Sequence, residues 1–177
     1  FYSIGLGATS ILTQDFDGDG IKDIAVARED SSGNSFEIWK GNSDGTYTPH
    51  YSSPVWSENE LQFREFRIFD VNNDGFPDLV LRPFHYGTLY RNSSDCWWNV
   101  EQCNGIKLNS LIQINNGDGT FSSYDREELV IESLNVDNIH PYMENGVLHF
   151  LGTYPRNIDN NTPYQLYTYD IKVRILD

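Results

Sequence analysis

The chain has 177 residues, of which 38% are hydrophobic and 14% aromatic, enough for one well-buried core and short for two. Its 26 acidic and 12 basic residues give a formal charge of −14, which argues against nucleic acid as a partner. No stretch approaches the roughly 20 apolar residues needed to cross a bilayer, so we expect no membrane insertion. We therefore expect a single domain over residues 1–177.

The first distinctive element is the acidic run DFDGDGIKD at residues 15–23. Its positions one, three, five and nine carry Asp15, Asp17, Asp19 and Asp23. Alternate side chains of a tightly curled loop point in the same direction. The four carboxylates could therefore converge on one ion, and calcium prefers oxygen ligands of this kind. Gly20 suits the sharp turn at position six, and Ile21 at position seven would add its carbonyl oxygen while its side chain packs inward. The run therefore predicts a calcium site.

The run DVNNDGFPD at residues 70–78 repeats this spacing. Its predicted ligands are Asp70, Asn72, Asp74 and Asp78, together with the carbonyl oxygen of Phe76. Ordinary Asp-Gly turns are the simpler alternative, but two matched copies favour two calcium ions that act as structural staples. An EF-hand would need a glutamate at position twelve and flanking helices, whereas Val26 and Leu81 stand there within strand-like runs.

Each acidic run is followed by a strand-like segment and an Asp-Gly-Thr turn. The segments lie at 36–39 and 111–114, and the turns at 42–47 and 116–121. Asp-Gly between alternating apolar residues is a strong hairpin signal, because the turn needs positive φ. The repeated unit is therefore loop, strand, turn and strand.

A third copy is predicted at residues 141–150, with its next strand at 164–167. Only Glu144 could coordinate a metal there, so we expect none. Helix signals are poor throughout, and only Asp125 to Leu134 favours a short helix. The spacings give repeat units of about 1–60, 61–125 and 126–177.

These residues resemble the FG-GAP or VCBS repeat family, whose calcium loops lie between strands of β-propeller blades, as in integrin α heads. The resemblance is specific at residues 15–24 and 70–79, supportive at the two Asp-Gly-Thr turns and weak after about residue 125. It implies an all-β fold of about three propeller-type blades with Asp-rich calcium loops. Because propellers need at least about four blades, we expect an incomplete or atypical propeller: an open wedge, a pair of copies or a fragment of a larger ring.

The second repeat carries an insertion at about residues 86–107, where the first repeat makes a short hairpin. The insertion contains Tyr86, Tyr90, Trp97 and Trp98. Aromatic anchors bury much area at little entropic cost, so these four are candidate partner-binding residues, although one or both tryptophans could equally fold back over an exposed core. Cys96 and Cys103 lie close together in sequence and favour a disulfide, with two unpaired thiols as the alternative.

Permanently filled multi-carboxylate calcium sites are typical of compartments where calcium is near millimolar. We therefore expect an extracellular or periplasmic protein. The four histidines are scattered, and the sequence carries no motif for a nucleophile, a zinc site or a phosphate loop. These patterns favour recognition over catalysis, so we expect the protein not to be an enzyme.

The leading hypothesis is a protein-binding module. The acidic surface further suggests an inhibitor or immunity protein of a basic, secreted, cell-wall-active enzyme, because opposite charges steer association. The runner-up is a carbohydrate-binding lectin or adhesin module, in which the aromatic side chains stack on sugar rings. A third interpretation is a fragment of a larger adhesive propeller.

Overall fold

A computed structural model describes residues 7–56, 63–83, 106–107, 111–124, 130–131, 138–156 and 165–173. In these residues the protein is almost entirely β, with thirteen strands in four antiparallel sheets. The described residues include no helix long and apolar enough to span a membrane. The all-β prediction is therefore confirmed.

The first sheet is a meander in which each strand pairs with the next along the chain. Its strands are β1 (Ala8–Gln14), β2 (Asp23–Asp30), β3 (Gly33–Gly41) and β4 (Tyr47–Ser52). The first acidic run joins β1 to β2, and the first Asp-Gly-Thr turn joins β3 to β4. Both connections thus lie at the same end of the sheet.

The second sheet repeats this plan with β5 (Phe63–Phe69), β6 (Asp78–Pro83), β8 (Ile112–Asn115) and β9 (Phe121–Ser123), in the order β5-β6-β8-β9. Strand β7 (Ile106–Lys107), between β6 and β8 along the chain, pairs instead with β10 (Val130–Ile131). The helix expected at 125–134 is therefore wrong at residues 130–131. Val130 and Ile131 are β-branched residues, which suit a strand better than a helix.

The third sheet contains β11 (Asn138–Glu144), β12 (Val147–Arg156) and β13 (Gln165–Val173). Asn145 and Gly146 connect β11 to β12 with φ values of 52° and 72°. Two successive positive φ values are typical of a two-residue type I′ turn. This tight turn joins the first two strands of the third sheet, and the acidic runs join the corresponding strands of the first and second sheets.

The sheets pack on one another through one aromatic cluster. Phe36 of the first sheet contacts Phe66 and Phe121 of the second edge-to-face, with ring centroids 6.0 Å and 5.7 Å apart. Leu148 and Phe150 of the third sheet belong to the same buried cluster. Edge-to-face pairs at such distances add to the stabilisation from burial. In the described residues, the first, second and third sheets share one core but do not close into a ring, as predicted for an incomplete propeller.

Candidate metal centre

The first acidic run, called loop 1 below, brings three carboxylates together. One oxygen each from Asp15, Asp17 and Asp19 lies within 4.8 Å of the others. Two oxygens bound to the same calcium ion at about 2.4 Å cannot be more than about 5 Å apart. This spacing and the all-oxygen donor set fit a calcium ion, so the triad could hold one.

The backbone of loop 1 fixes the carboxylates in place. The amides of Gly18 and Gly20 both donate to Asp15, each over 2.8 Å, and the amide of Ile21 donates to Asp19 over 2.8 Å. Gly20 has φ near +84°, which costs glycine little and other residues more. The predicted glycine at position six is thus required by the conformation that wraps the chain around Asp15.

Lys40 at the end of β3 binds two members of the triad. Its Nζ forms ion pairs with Asp17 Oδ2 and, over 2.7 Å, with Asp19 Oδ2. The Lys40 side chain is 32% exposed. The hydrogen bond from this ammonium lowers the pKa of Asp19 below its usual range, with a second contribution from the Ile21 amide. The two carboxylates raise the pKa of Lys40 further above its usual value. Loop 1 therefore faces a cationic side chain of its own sheet.

Asp23, which closes loop 1, is only 1% exposed. Its two oxygens accept hydrogen bonds from the backbone amides of Phe16, over 2.9 Å, and Gly41, over 2.8 Å. The carboxylate thereby joins the start of the loop to the end of β3. These two bonds give the closing aspartate a structural role. Its coordination of a metal stays a prediction from the sequence.

The second run, called loop 2, has a similar backbone cradle. Asp70 accepts from the amides of Asp74 and Gly75, each over 3.0 Å, and Asp74 accepts from the Phe76 amide over 2.8 Å. The donor set is weaker, however, because Asn72 replaces a carboxylate and its Nδ2 donates to Asp74 Oδ2 over 2.8 Å. Calcium would need the Asn72 amide oxygen instead, since calcium takes oxygen ligands.

Asp78 closes loop 2 as Asp23 closes loop 1. It accepts from the amides of Val71 and Asn115, each over 2.8 Å. Burial raises the pKa of Asp78 to about 6, although both amide bonds act in the opposite direction. Asp23 and Asp78 are therefore equivalent links between a loop and the strand that precedes an Asp-Gly-Thr turn.

Asn115 connects the two loops. Its Nδ2 donates to the carbonyl oxygens of Phe16 in loop 1, over 2.8 Å, and Pro77 in loop 2, over 3.2 Å. Its Oδ1 accepts from the Gly117 amide over 2.9 Å, and the residue is 2% exposed. One buried amide thus fixes the position of loop 1 relative to loop 2 and to the second turn.

The apolar residues at position seven pack on glycines. A Cβ on Gly117 would lie 3.1 Å from the Phe76 ring, and one on Gly18 would lie 3.4 Å from it. Ile21 lies against Gly41, where a Cβ would come within 2.9 Å of its Cγ2. Both side chains are half-buried at the loops and stand outside the central aromatic cluster. They stabilise the contact between sheets and loops, rather than reaching inward to the core as expected.

The two Asp-Gly-Thr turns have matching hydrogen bonds. In the first, the Thr46 amide and hydroxyl both donate to Asp44 Oδ1, over 2.9 and 2.6 Å. In the second, Thr120 donates to Asp118 Oδ1 over the same distances. Gly45 and Gly119 have φ values of +79° and +78°. These turns form the hairpins that the sequence predicts.

The second turn also contacts the first sheet. His50 Nε2 lies 2.7 Å from the carbonyl oxygen of Asp118, and a Cβ on Gly119 would lie 3.7 Å from the Asp17 Cβ. Loop 1, loop 2 and this turn therefore form one surface cluster at the same end of the two sheets.

The predicted partner-binding residues lie outside the described part of the chain. These are Tyr86, Tyr90, Trp97 and Trp98, together with the proposed disulfide cysteines, Cys96 and Cys103. Only the end of the insertion is described, where Ile106–Lys107 forms β7. The assignments in the insertion remain predictions from the sequence.

Comparison with known proteins agrees with the fold and the loops. Residues 15–81, which include both loops, match the family model of the FG-GAP-like repeat. This match confirms the resemblance inferred from the two acidic runs. No curated protein and no solved structure matches the chain. Residues 15–81 are therefore similar to an FG-GAP-like repeat, and the aspartate triad within them could hold an ion.

Sequence reasoning missed two residues that shape the site, Lys40 and Asn115. Each stands close before an Asp-Gly-Thr turn, but neither belongs to an acidic run. A partial signal existed: the residue that donates its amide to the closing aspartate is Gly41 in one repeat and Asn115 in the other. Aligning the two repeats on their turns places Gly41 opposite Asn115, and it would have shown that the side chain at this position differs between the repeats.

Proposed function

We propose that the protein is a calcium-stabilised β-repeat module that works outside the cytoplasm by binding another protein, with one calcium ion in each loop. The observation that carries the proposal is the Asp15, Asp17 and Asp19 triad within residues that match an FG-GAP-like repeat. FG-GAP repeats commonly bind calcium, are typically extracellular and often serve in binding. Recognition rather than turnover is the proposed activity.

Calcium should stabilise the fold by mass action. A site held at 100 times its dissociation constant adds about 2.7 kcal/mol to the free energy of unfolding. In a protein of this size that corresponds to a rise in Tm of roughly 5–10 °C per site. We expect calorimetry to give two calcium ions per chain and a chelator to lower the Tm.

The assignment to individual loops is tested by Asp17→Ala and Asp74→Ala, each of which should remove part of the calcium-dependent rise in Tm. Asp30→Ala is the matched control, since Asp30 is exposed at the β2–β3 turn and bonds the Ser32 amide. It removes an acidic side chain without touching a loop. No calorimetric signal together with an unchanged melting curve in excess chelator would refute calcium binding.

The proposed partner surface is the aromatic insertion at 86–107, and the proposed partner is a basic secreted enzyme, which the formal charge of −14 would attract. Co-purification with a basic wall hydrolase, abolished by deleting residues 95–104, would support this assignment. Unchanged binding after the deletion would exclude the insertion. A glycan array is the parallel test: sugar binding through Trp97 or Trp98 would replace the protein partner by a carbohydrate.

A further inference from the structure

The backbone at the end of β3 places Lys40 beside loop 1. Strand β3 ends at Gly41, whose amide donates to Asp23 Oδ1 over 2.8 Å. This bond fixes the end of β3 against the loop, so the preceding residue is placed beside the carboxylates. Lys40 Nζ then meets Asp17 Oδ2 and Asp19 Oδ2.

The oxygens that Lys40 binds are those the backbone leaves available. Asp17 Oδ1 accepts from the Asp19 amide over 3.2 Å, and Asp19 Oδ1 accepts from the Ile21 amide over 2.8 Å. In both residues the other oxygen, Oδ2, contacts the ammonium. A metal ion bound by the triad would draw on the same Asp17 and Asp19 carboxylates that the ammonium contacts. The ammonium and the metal therefore compete for one set of acceptors, and their like charges repel.

Loop 2 has no corresponding cation at the matching position. The residue before Asn115, whose amide bonds the closing Asp78, is Ile114. Loop 1 has three carboxylates facing one lysine, whereas loop 2 has the carboxylates of Asp70 and Asp74 facing Asn72. The lysine thus offsets the additional negative charge of loop 1.

We propose that Lys40 is a tethered counter-cation of loop 1, which offsets part of the triad's negative charge in the calcium-free protein and which calcium must displace. The inference rests on the proposed calcium binding. It adds that a residue of this chain, Lys40, lowers the calcium affinity of one of the two sites. Its consequences are a weaker calcium affinity of loop 1 than its three carboxylates alone would give, and a calcium-free loop that stays ordered.

The central experiment compares calcium affinity in Asp74→Ala, which isolates loop 1, with the double variant Lys40→Met, Asp74→Ala. Removing a unit charge about 4 Å from a divalent ion in a water-like dielectric should tighten binding by roughly five- to thirty-fold. The difference should shrink as salt is raised, because the groups are partly exposed and screened. Lys40→Arg in the same background keeps the charge and should not show the full gain.

Lys22→Met is the matched control. Lys22 also lies in loop 1 and is exposed, but it forms no ion pair with the triad in the described part of the chain. A general effect of net charge would tighten binding equally in both variants. The proposal requires a clearly larger effect for Lys40→Met.

Melting curves provide a second readout that a merely structural lysine would not reproduce. Lys40→Met should lower the Tm of the calcium-free protein, because the triad loses its counter-charge, yet it should enlarge the rise on adding calcium. Equal losses with and without calcium, or an unchanged or weakened affinity, would overturn the proposal.

The outcomes separate this inference from the proposed function. If the wild type binds calcium and Lys40→Met changes nothing, only the role of Lys40 is refuted. If wild-type loop 1 binds no calcium but the lysine variant does, competition by Lys40 is confirmed, and the proposed calcium ion of loop 1 in the wild-type protein is refuted. If neither binds, both proposals fail.

Discussion

Replacing Asn115 with alanine tests the link between the two loops. The side chain forms three hydrogen bonds, two as donor to the carbonyl oxygens of Phe16 and Pro77 and one as acceptor from the Gly117 amide. Alanine removes all three. Because Asn115 is 2% exposed, water cannot easily replace them.

The expected loss follows from the burial of each partner. A buried polar group left without a partner costs about 1–3 kcal/mol, and a partly solvated one costs less. The Phe16 bond is buried, while those to Pro77 and Gly117 are partly buried. We expect a total of about 2–4 kcal/mol, or a fall in Tm of roughly 4–15 °C for a protein of this size.

The assay is urea unfolding of the full chain in a fixed calcium concentration, followed by tryptophan fluorescence and circular dichroism. Asn116→Ala is the matched control, since the neighbouring asparagine is exposed and its side chain bonds the side chains of Thr120 and Ser122 within the turn. It should cost no more than about 1 kcal/mol. Asn115→Asp keeps the acceptor but loses both donors, so it should resemble the alanine variant.

The reasoning is refuted if Asn115→Ala is no more destabilising than Asn116→Ala. It is also refuted if Asn115→Asp retains wild-type stability, because the donor bonds to Phe16 and Pro77 would then contribute nothing. A change in midpoint with an unchanged slope would mean that stability has changed, while the surface exposed on unfolding has not.

Two further predictions concern the contacts around the loops. Gly41→Ala should lower the free energy of unfolding by about 1–3 kcal/mol in a urea titration, because its Cβ would overlap the Lys22 carbonyl oxygen; an unchanged midpoint would contradict the close approach. Glu29→Gln should cost no more than about 0.5 kcal/mol, because Glu29 and Arg64 are both more than a third exposed. Arg64 lowers the pKa of Glu29, so the pair contributes stability above the usual glutamate pKa and loses it as the pH falls through the lowered value. The stability difference between wild type and Glu29→Gln should therefore be flat near neutral pH and vanish in acid; a difference that grows in acid would contradict it.

The local features of the fold could be predicted from sequence because their causes are local. The position of Gly20 follows from a backbone that needs positive φ, and the Asp44–Thr46 and Asp118–Thr120 turns each form their bonds within a few residues. The acidic runs likewise contain their own cradle of amide donors. Short-range spacing therefore determined the hairpins, the loops and the all-β class.

Only the tertiary structure decided what surrounds those loops. Lys40 reaches Asp17 across 23 residues of chain, and Asn115 reaches Phe16 across 99. Such contacts depend on strand register and on how one sheet packs against the next, which no local spacing encodes. The sequence by itself determined the acidic loops that can hold a metal, and the packing of the sheets determined the cation that faces one loop and the buried amide that joins both.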